Sequence, residues 1–274
     1  MESVKLENII KLAAFDVDET LLPNGYTKFS ENTKSIFKSL NDKGIKTVVS
    51  TAREFATIGD FLEQLSPVDY FMGANGAFIW DVKNKKFIFK NTLKREDVIK
   101  LYEKFGEKVR GFAVSDFDKI YNSEGMNLNT WFIKPFEKNY RAFQPELLSE
   151  DDLYLVTITS TENIRELHEE FKKFIEENNL NMEISSRWSQ GFFINPLSVN
   201  KSNTLKFLLD KLNLTYDNLI SFGDSSNDFE MIRDAYYGVA MQRAGEKIKA
   251  VANDIALDAI HDGVYLKLKE LKLI

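Results

Sequence analysis

Apolar and polar positions change rhythm twice along the chain. Residues 9–17 (IIKLAAFDV) are almost continuously apolar and predict a strand buried on both faces. Ser30 then offers an N-cap, and Ile36, Phe37 and Leu40 follow at helical spacing until Gly44 ends the run. A β-branched strand is expected at 45–51 (IKTVVST), then a helix at 54–65 with Phe55, Ile58, Phe61, Leu62 and Leu65 on one face. Residues 69–80 (DYFMGANGAFIW) predict a third strand, a glycine-containing turn and a hairpin arm. Strands alternating with helices imply a parallel sheet of βαβ units.

From residue 84 the pattern becomes one of paired strands. KNKKFIFK reads as an antiparallel arm, RGFAVSDFDKIYN as two strands about a turn, and DLYLVTITST as a strong strand. A helix over 163–178, carrying Leu167, Phe171, Phe174 and Ile175, precedes a further strand in NMEISSRW. Near residue 200 the strand–helix rhythm resumes and runs to the end. The expected architecture is α/β: a Rossmann-like parallel-sheet core with helices on both faces, split between residues 1–83 and 190–274. An α+β cap of residues 84–189 is inserted between the two halves.

Composition narrows the function. The 274 residues carry a formal charge of -6, which argues against general nucleic-acid binding. There is no cysteine, so disulfides, thiol catalysis and zinc–thiolate sites are excluded. The first fifteen residues lack the pattern of a secretory signal, and no stretch approaches the roughly 18 apolar residues of a membrane helix. The expectation is a soluble, cytoplasmic protein, monomeric or weakly dimeric, with no membrane or nucleic-acid partner.

Polar clusters stand at three predicted strand ends, where open parallel sheets gather ligands. These are Asp16/Asp18 in DVDET, Ser50/Thr51, and GDSSND at 223–228, with Lys201 opening the helix that leads to the last of them. Oxygen donors without soft ligands suit a hard cation, and Mg²⁺ is the usual one beside a phosphate. Asp16 would be the nucleophile that accepts a phosphoryl group, and Asp18 the acid/base. Lys201 would offset the repulsion between anionic nucleophile and anionic substrate, while Thr51 and the adjacent backbone N–H groups hold phosphate oxygens.

The order and spacing of these pieces resemble the haloacid dehalogenase superfamily. DVDET matches its first motif, STAR (50–53) its second, Lys201 its third and GDSSND its fourth; NGA (75–77), GVAM (238–241) and DGV (262–264) look like its Cof-like phosphatases. The resemblance covers essentially the whole chain, and implies a large α/β cap between the second and third motifs. It also implies Asp16, Asp18, Asp224 and Asp228 around the metal, Asp18 through its backbone carbonyl, and phosphate held by Thr51, Ala52, Lys201 and Asn227. The implied activity is Mg²⁺-dependent hydrolysis of small phosphorylated metabolites, sugar phosphates or phosphorylated cofactors, through an aspartyl phosphate. A phosphomutase with the same nucleophile and a non-hydrolytic phosphate sensor are the alternatives.

Several residues depart from the family pattern or carry a second reading. Glu19, Ala52, Ser202 and Arg243 stand where that family usually carries other residues. Asn75 and Gly76 suit either a hairpin turn or a substrate contact. Trp131, Arg187 and Trp188 are expected to pack in the cap rather than face substrate.

Overall fold

The computed structural model describes residues 5–161 and 163–274. In chain order its strands are β1 (Leu12–Phe15), β2 (Lys46–Ser50), β3 (Tyr70–Gly73), β4 (Phe78–Asp81), β5 (Lys86–Lys90), β6 (Gly111–Asp116) and β7 (Lys119–Asn122). They continue with β8 (Tyr140–Ala142), β9 (Leu153–Thr159), β10 (Met182–Trp188), β11 (Gly191–Pro196), β12 (Leu219–Gly223), β13 (Tyr237–Met241) and β14 (Asp254–Ala256).

Two sheets result. The larger runs β14-β13-β12-β1-β2-β3-β4-β5, parallel from β14 to β3 and antiparallel beyond. Every residue of β1 and β12 is buried, as their apolar runs require. From β1 the chain steps outward through β2 and β3; after the insert it returns to β12 on the other side and steps away through β13 and β14. The order therefore reverses between β1 and β12, which opens a crevice at their carboxyl ends.

The second sheet, β10-β11-β9-β6-β7-β8, is antiparallel apart from the β7–β8 pair. One face packs on the helices Arg95–Phe105 and Ile164–Glu177, with the Phe105 and Phe171 rings stacked at 3.8 Å. Alternation along β6 sends Phe112 and Val114 into that core and leaves Ala113 and Ser115 on the opposite face. Thr157 and Thr159 of β9 join them there. These side chains are small, so the face that looks toward the large sheet has room above it.

Three sequence expectations change. β5 pairs with β4 in the large sheet, and β11 with β9 and β10 in the small one, so both strands fall on the other side of the expected 84 and 189 boundaries. The predicted helix over 54–65 is helical only at Phe61–Gln64. Its apolar period marks burial correctly, since Ile58, Phe61 and Leu65 are all buried. The backbone instead turns at Gly59 (φ +55°), where an added Cβ would meet the Phe136 ring at 2.8 Å. The first strand begins at Leu12, because residues Leu6–Ile9 form a short helix.

Candidate active site

The crevice brings the three strand-end clusters together. Asp16 follows β1 and is 6% exposed; its backbone N–H continues the ladder to the Phe222 carbonyl at 3.0 Å. Lys201 opens the helix Lys201–Lys211, held at that point by the Asn200 side chain, which accepts from the Asn203 N–H at 2.8 Å. Its buried ammonium donates to Asp16 Oδ1 at 2.7 Å and to Asp228 Oδ1 at 2.6 Å. Asp16 Oδ2 has no hydrogen bond among the described residues.

Asp228 also shapes the loop after β12. Its Oδ2 accepts the backbone N–H groups of Asp224 and Ser225, both at 3.0 Å. The loop folds back so tightly that a Cβ on Gly223 would lie 2.5 Å from the Asp228 Cβ. Only glycine admits that approach.

One ammonium thus faces three carboxylates. Asp16, Asp224 and Asp228 each present an oxygen within 4.8 Å of the others. Burial first, and then the Asp228 charge, raise the Asp16 carboxyl well above the usual carboxylate range. The same two causes push Asp224 up to about 7, against the opposing pull of Ser225, Lys201 and Arg243. Burial disfavours the Lys201 charge, yet Asp16 and Asp228 outweigh it and hold the ammonium above its ordinary value. Asp224 Oδ1 is buried with no hydrogen-bond partner. An all-oxygen donor set with excess negative charge and an orphaned carboxylate oxygen fits a hard divalent cation.

The Asp18 carboxylate lies outside that triad. It is gripped bidentately by Arg53, Nε to Oδ2 at 2.8 Å and Nη2 to Oδ1 at 2.7 Å. Arg53 is itself 2% exposed, donates to the Thr57 carbonyl at 2.7 Å and stacks against Phe132 and Phe61, its carbon 4.4 and 5.0 Å from their ring centres. STAR points to Thr51 in the sequence, and the structure adds Arg53 from the same motif to the site. Its signal was an arginine three residues beyond a buried strand end, a charge that must find a partner.

The phosphate-loop candidates cluster beside Asp16. Thr51 accepts the Arg53 N–H at 3.1 Å through its hydroxyl, while its own N–H is committed to the Met72 carbonyl. It caps no helix, because the next helical residue is Phe61. The Ala52 N–H has no hydrogen-bond partner among the described residues, so of the two backbone donors the one at Ala52 is left to give. Asn227 donates to Asn75 Oδ1 at 2.9 Å, and Asn75 is buried at φ +58° inside the turn before β4.

Two family departures explain each other. Glu19 (φ +65°) forms an ion pair with Arg243 across the rim and accepts the Asn24 N–H at 3.2 Å. Ser202 points elsewhere, donating to Asp234 at 2.7 Å.

Beyond Ala52 a cavity of about 390 Å³ opens between the loop after β2 and the small-residue face of the second sheet. Trp131, Trp188, Phe132 and Phe193 line it together with Ser115, Thr157 and Glu54. Trp131 and Trp188 are therefore cavity walls, contrary to the packing expected of them. Arg187 is not among the lining residues, but its carbonyl reaches Ser226 Oγ at 3.5 Å, bringing the β10–β11 hairpin onto the loop after β12.

Fold and site define a class: a split, doubly wound hydrolase with a carboxylate–lysine centre beneath a second α/β layer. The chain matches the haloacid dehalogenase-like hydrolases over residues 13–268 and belongs to that family, as a phosphatase. It is 29% identical over 266 residues to the 5-amino-6-(5-phospho-D-ribitylamino)uracil phosphatase YcsE of Bacillus subtilis, with 96% of each chain covered. A second Bacillus subtilis phosphatase of the same description, YitU, is 25% identical over 271 residues, covering 94% of this chain and 96% of its own. A solved haloacid dehalogenase-like hydrolase from Bacteroides thetaiotaomicron superposes with a TM-score of 0.81 at 21% identity, covering 96% of this chain and 99% of that one, a likeness of fold.

Proposed function

We propose that the protein hydrolyses small phosphorylated metabolites with Mg²⁺ as cofactor and Asp16 as nucleophile. The observation that carries this is the buried Asp16–Lys201–Asp228 network beside the orphaned Asp224 oxygen. Asp16, Asp224 and Asp228 would hold the cation, which supplies charge neutralisation at the phosphoryl group when bound. The Asp18 backbone carbonyl is the further ligand that the family resemblance implies.

In the first half-reaction Asp16 Oδ2 attacks phosphorus, the bond to the leaving oxygen breaks, and that oxygen takes a proton from Asp18. In the second, a water gives its proton to Asp18 and attacks the same phosphorus, releasing inorganic phosphate and restoring the Asp16 carboxylate. Lys201 stabilises the charge that develops beside Asp16, and the Ala52 N–H and Thr51 hydroxyl hold non-bridging oxygens. Arg53 keeps the Asp18 carboxylate in one orientation through both proton transfers.

The substrate named for the two Bacillus relatives, a pyrimidine joined through a ribityl chain to phosphate, is a candidate here. The test is phosphate release from a panel of phosphate esters, with and without Mg²⁺, by wild type and Asp16→Asn. Metal-dependent release that vanishes in the variant is expected. Isomerised phosphosugar in place of free phosphate would indicate a mutase, and binding without turnover a sensor.

A further inference from the structure

Glu54 has no part in the chemistry above, yet it is a carboxylate that is 4% exposed and lines the cavity. Its Oε2 accepts the Thr57 hydroxyl at 2.7 Å. Its Oε1 has only the Ser115 hydroxyl, from β6 of the second sheet, at a long 3.4 Å. No lysine or arginine pairs with it among the described residues, since the neighbouring Arg53 is committed to Asp18. A buried carboxylate with spare acceptor capacity is costly unless a donor reaches it. Burial accordingly raises its carboxyl above the ordinary value, with the Thr57 hydrogen bond opposing.

The walls around it say what that donor belongs to. Trp131, Trp188, Phe132 and Phe193 present ring surface, and the exposed lining is predominantly apolar. A bare sugar would leave hydroxyls unpaired against such walls, whereas a flat unsaturated ring stacks on them. The volume suits one such ring with a short linker leading to Ala52 and Asp16.

We propose that Glu54 is a specificity-determining residue. Its carboxylate accepts hydrogen bonds from ring N–H donors of a planar heterocycle stacked between the aromatic walls, so the site selects phosphate monoesters whose alcohol carries such a ring. This rests on the reading of the site as a phosphatase centre.

The test compares esters that differ by one donor. Uridine 5′-monophosphate and riboflavin 5′-phosphate offer a ribose and a ribityl linker, and each is paired with its N3-methyl analogue. Wild type should favour the N–H form by about tenfold in kcat/KM for at least one pair, the scale of a hydrogen bond to a charged group. Glu54→Leu should bring that ratio to about one, and the near-isosteric Glu54→Gln should lower it by at least about threefold. A wild-type ratio near one for both pairs overturns the proposal, as does a ratio that survives in Glu54→Leu. p-Nitrophenyl phosphate reports the phosphatase reading separately. If no ester is turned over, that reading fails, and the same ratios are measured as binding constants of uridine and riboflavin against their N3-methyl forms. The expected and overturning values are unchanged.

Discussion

The carboxylate centre and the cavity above it are built on opposite rules. At the centre most groups are fixed by charged hydrogen bonds: Lys201 to Asp16 and Asp228, Arg53 to Asp18, Asp228 to the backbone of its own loop. In the cavity, room comes from Ala113, Ser115 and Thr157, and shape from exposed rings, with one lightly bonded carboxylate at its edge. The first arrangement commits its charged groups to one another, whereas the second keeps acceptor capacity and ring surface for whatever enters.

The sharpest way to break this contrast is to remove the ammonium. Lys201→Met leaves buried carboxylates uncompensated, and a loss of about 3–5 kcal/mol of stability is expected. Urea unfolding measures it; a variant as stable as wild type would mean that the network is not what orders the centre. Phosphate release should fall to background in the same protein.

Arg53 joins the two regions, since it grips Asp18 with its nitrogens and carries Phe132 of the insert on its face. Arg53→Met should slow phosphoryl transfer from alkyl phosphates to the enzyme about 10–100-fold in single-turnover experiments, while the same step with p-nitrophenyl phosphate, whose leaving group needs little protonation, loses much less. Equal losses for both ester classes would reduce Arg53 to a packing residue.

A smaller effect concerns the cation. Burial and Asp228 hold Asp224 at about 7, against an ordinary value of 3.8. Without metal, this raised group contributes stability fully below the unfolded value, and the contribution is lost as pH climbs toward 7. Mg²⁺ competes with protons for the same oxygens, so it should raise Tm by several degrees at pH 8 and much less at pH 5. Equal shifts at the two pH values would argue against carboxylate ligation. The smallest expected term is the Glu19–Arg243 pair: a double-mutant cycle should give about 0.5–1 kcal/mol, because Arg243 is 45% exposed. No coupling would leave Glu19 with only its hydrogen bond from the Asn24 N–H.

How much of this was legible follows the same division. Asp16, Lys201 and Asp224 could be found because strand ends and a helix start carry local patterns, and their order along the chain suffices to propose a common site. Glu54 could not be placed that way, and Arg53 only as a charge in need of a partner. The apolar period of 54–65 reads as a helix, and nothing local reveals that Gly59 must leave space for Phe136, a residue more than seventy positions away. Trp131 and Trp188 line the cavity instead of packing for a related reason: an aromatic residue does one or the other according to what stands opposite, and here the opposing side chains are small. β5 reads correctly as an antiparallel arm, and β11 is a strand that the sequence analysis does not foresee; sheet membership is in any case a choice of partner that alternation does not encode.

The central claim is that Asp16 carries the phosphoryl group. In Asp18→Asn the breakdown of that intermediate should slow, so the enzyme mixed with substrate and Mg²⁺, then acid-quenched and digested, should show the mass of one phosphoryl group on the peptide containing Asp16. Phosphate released without that adduct at early times, or an adduct on another residue, would contradict the account.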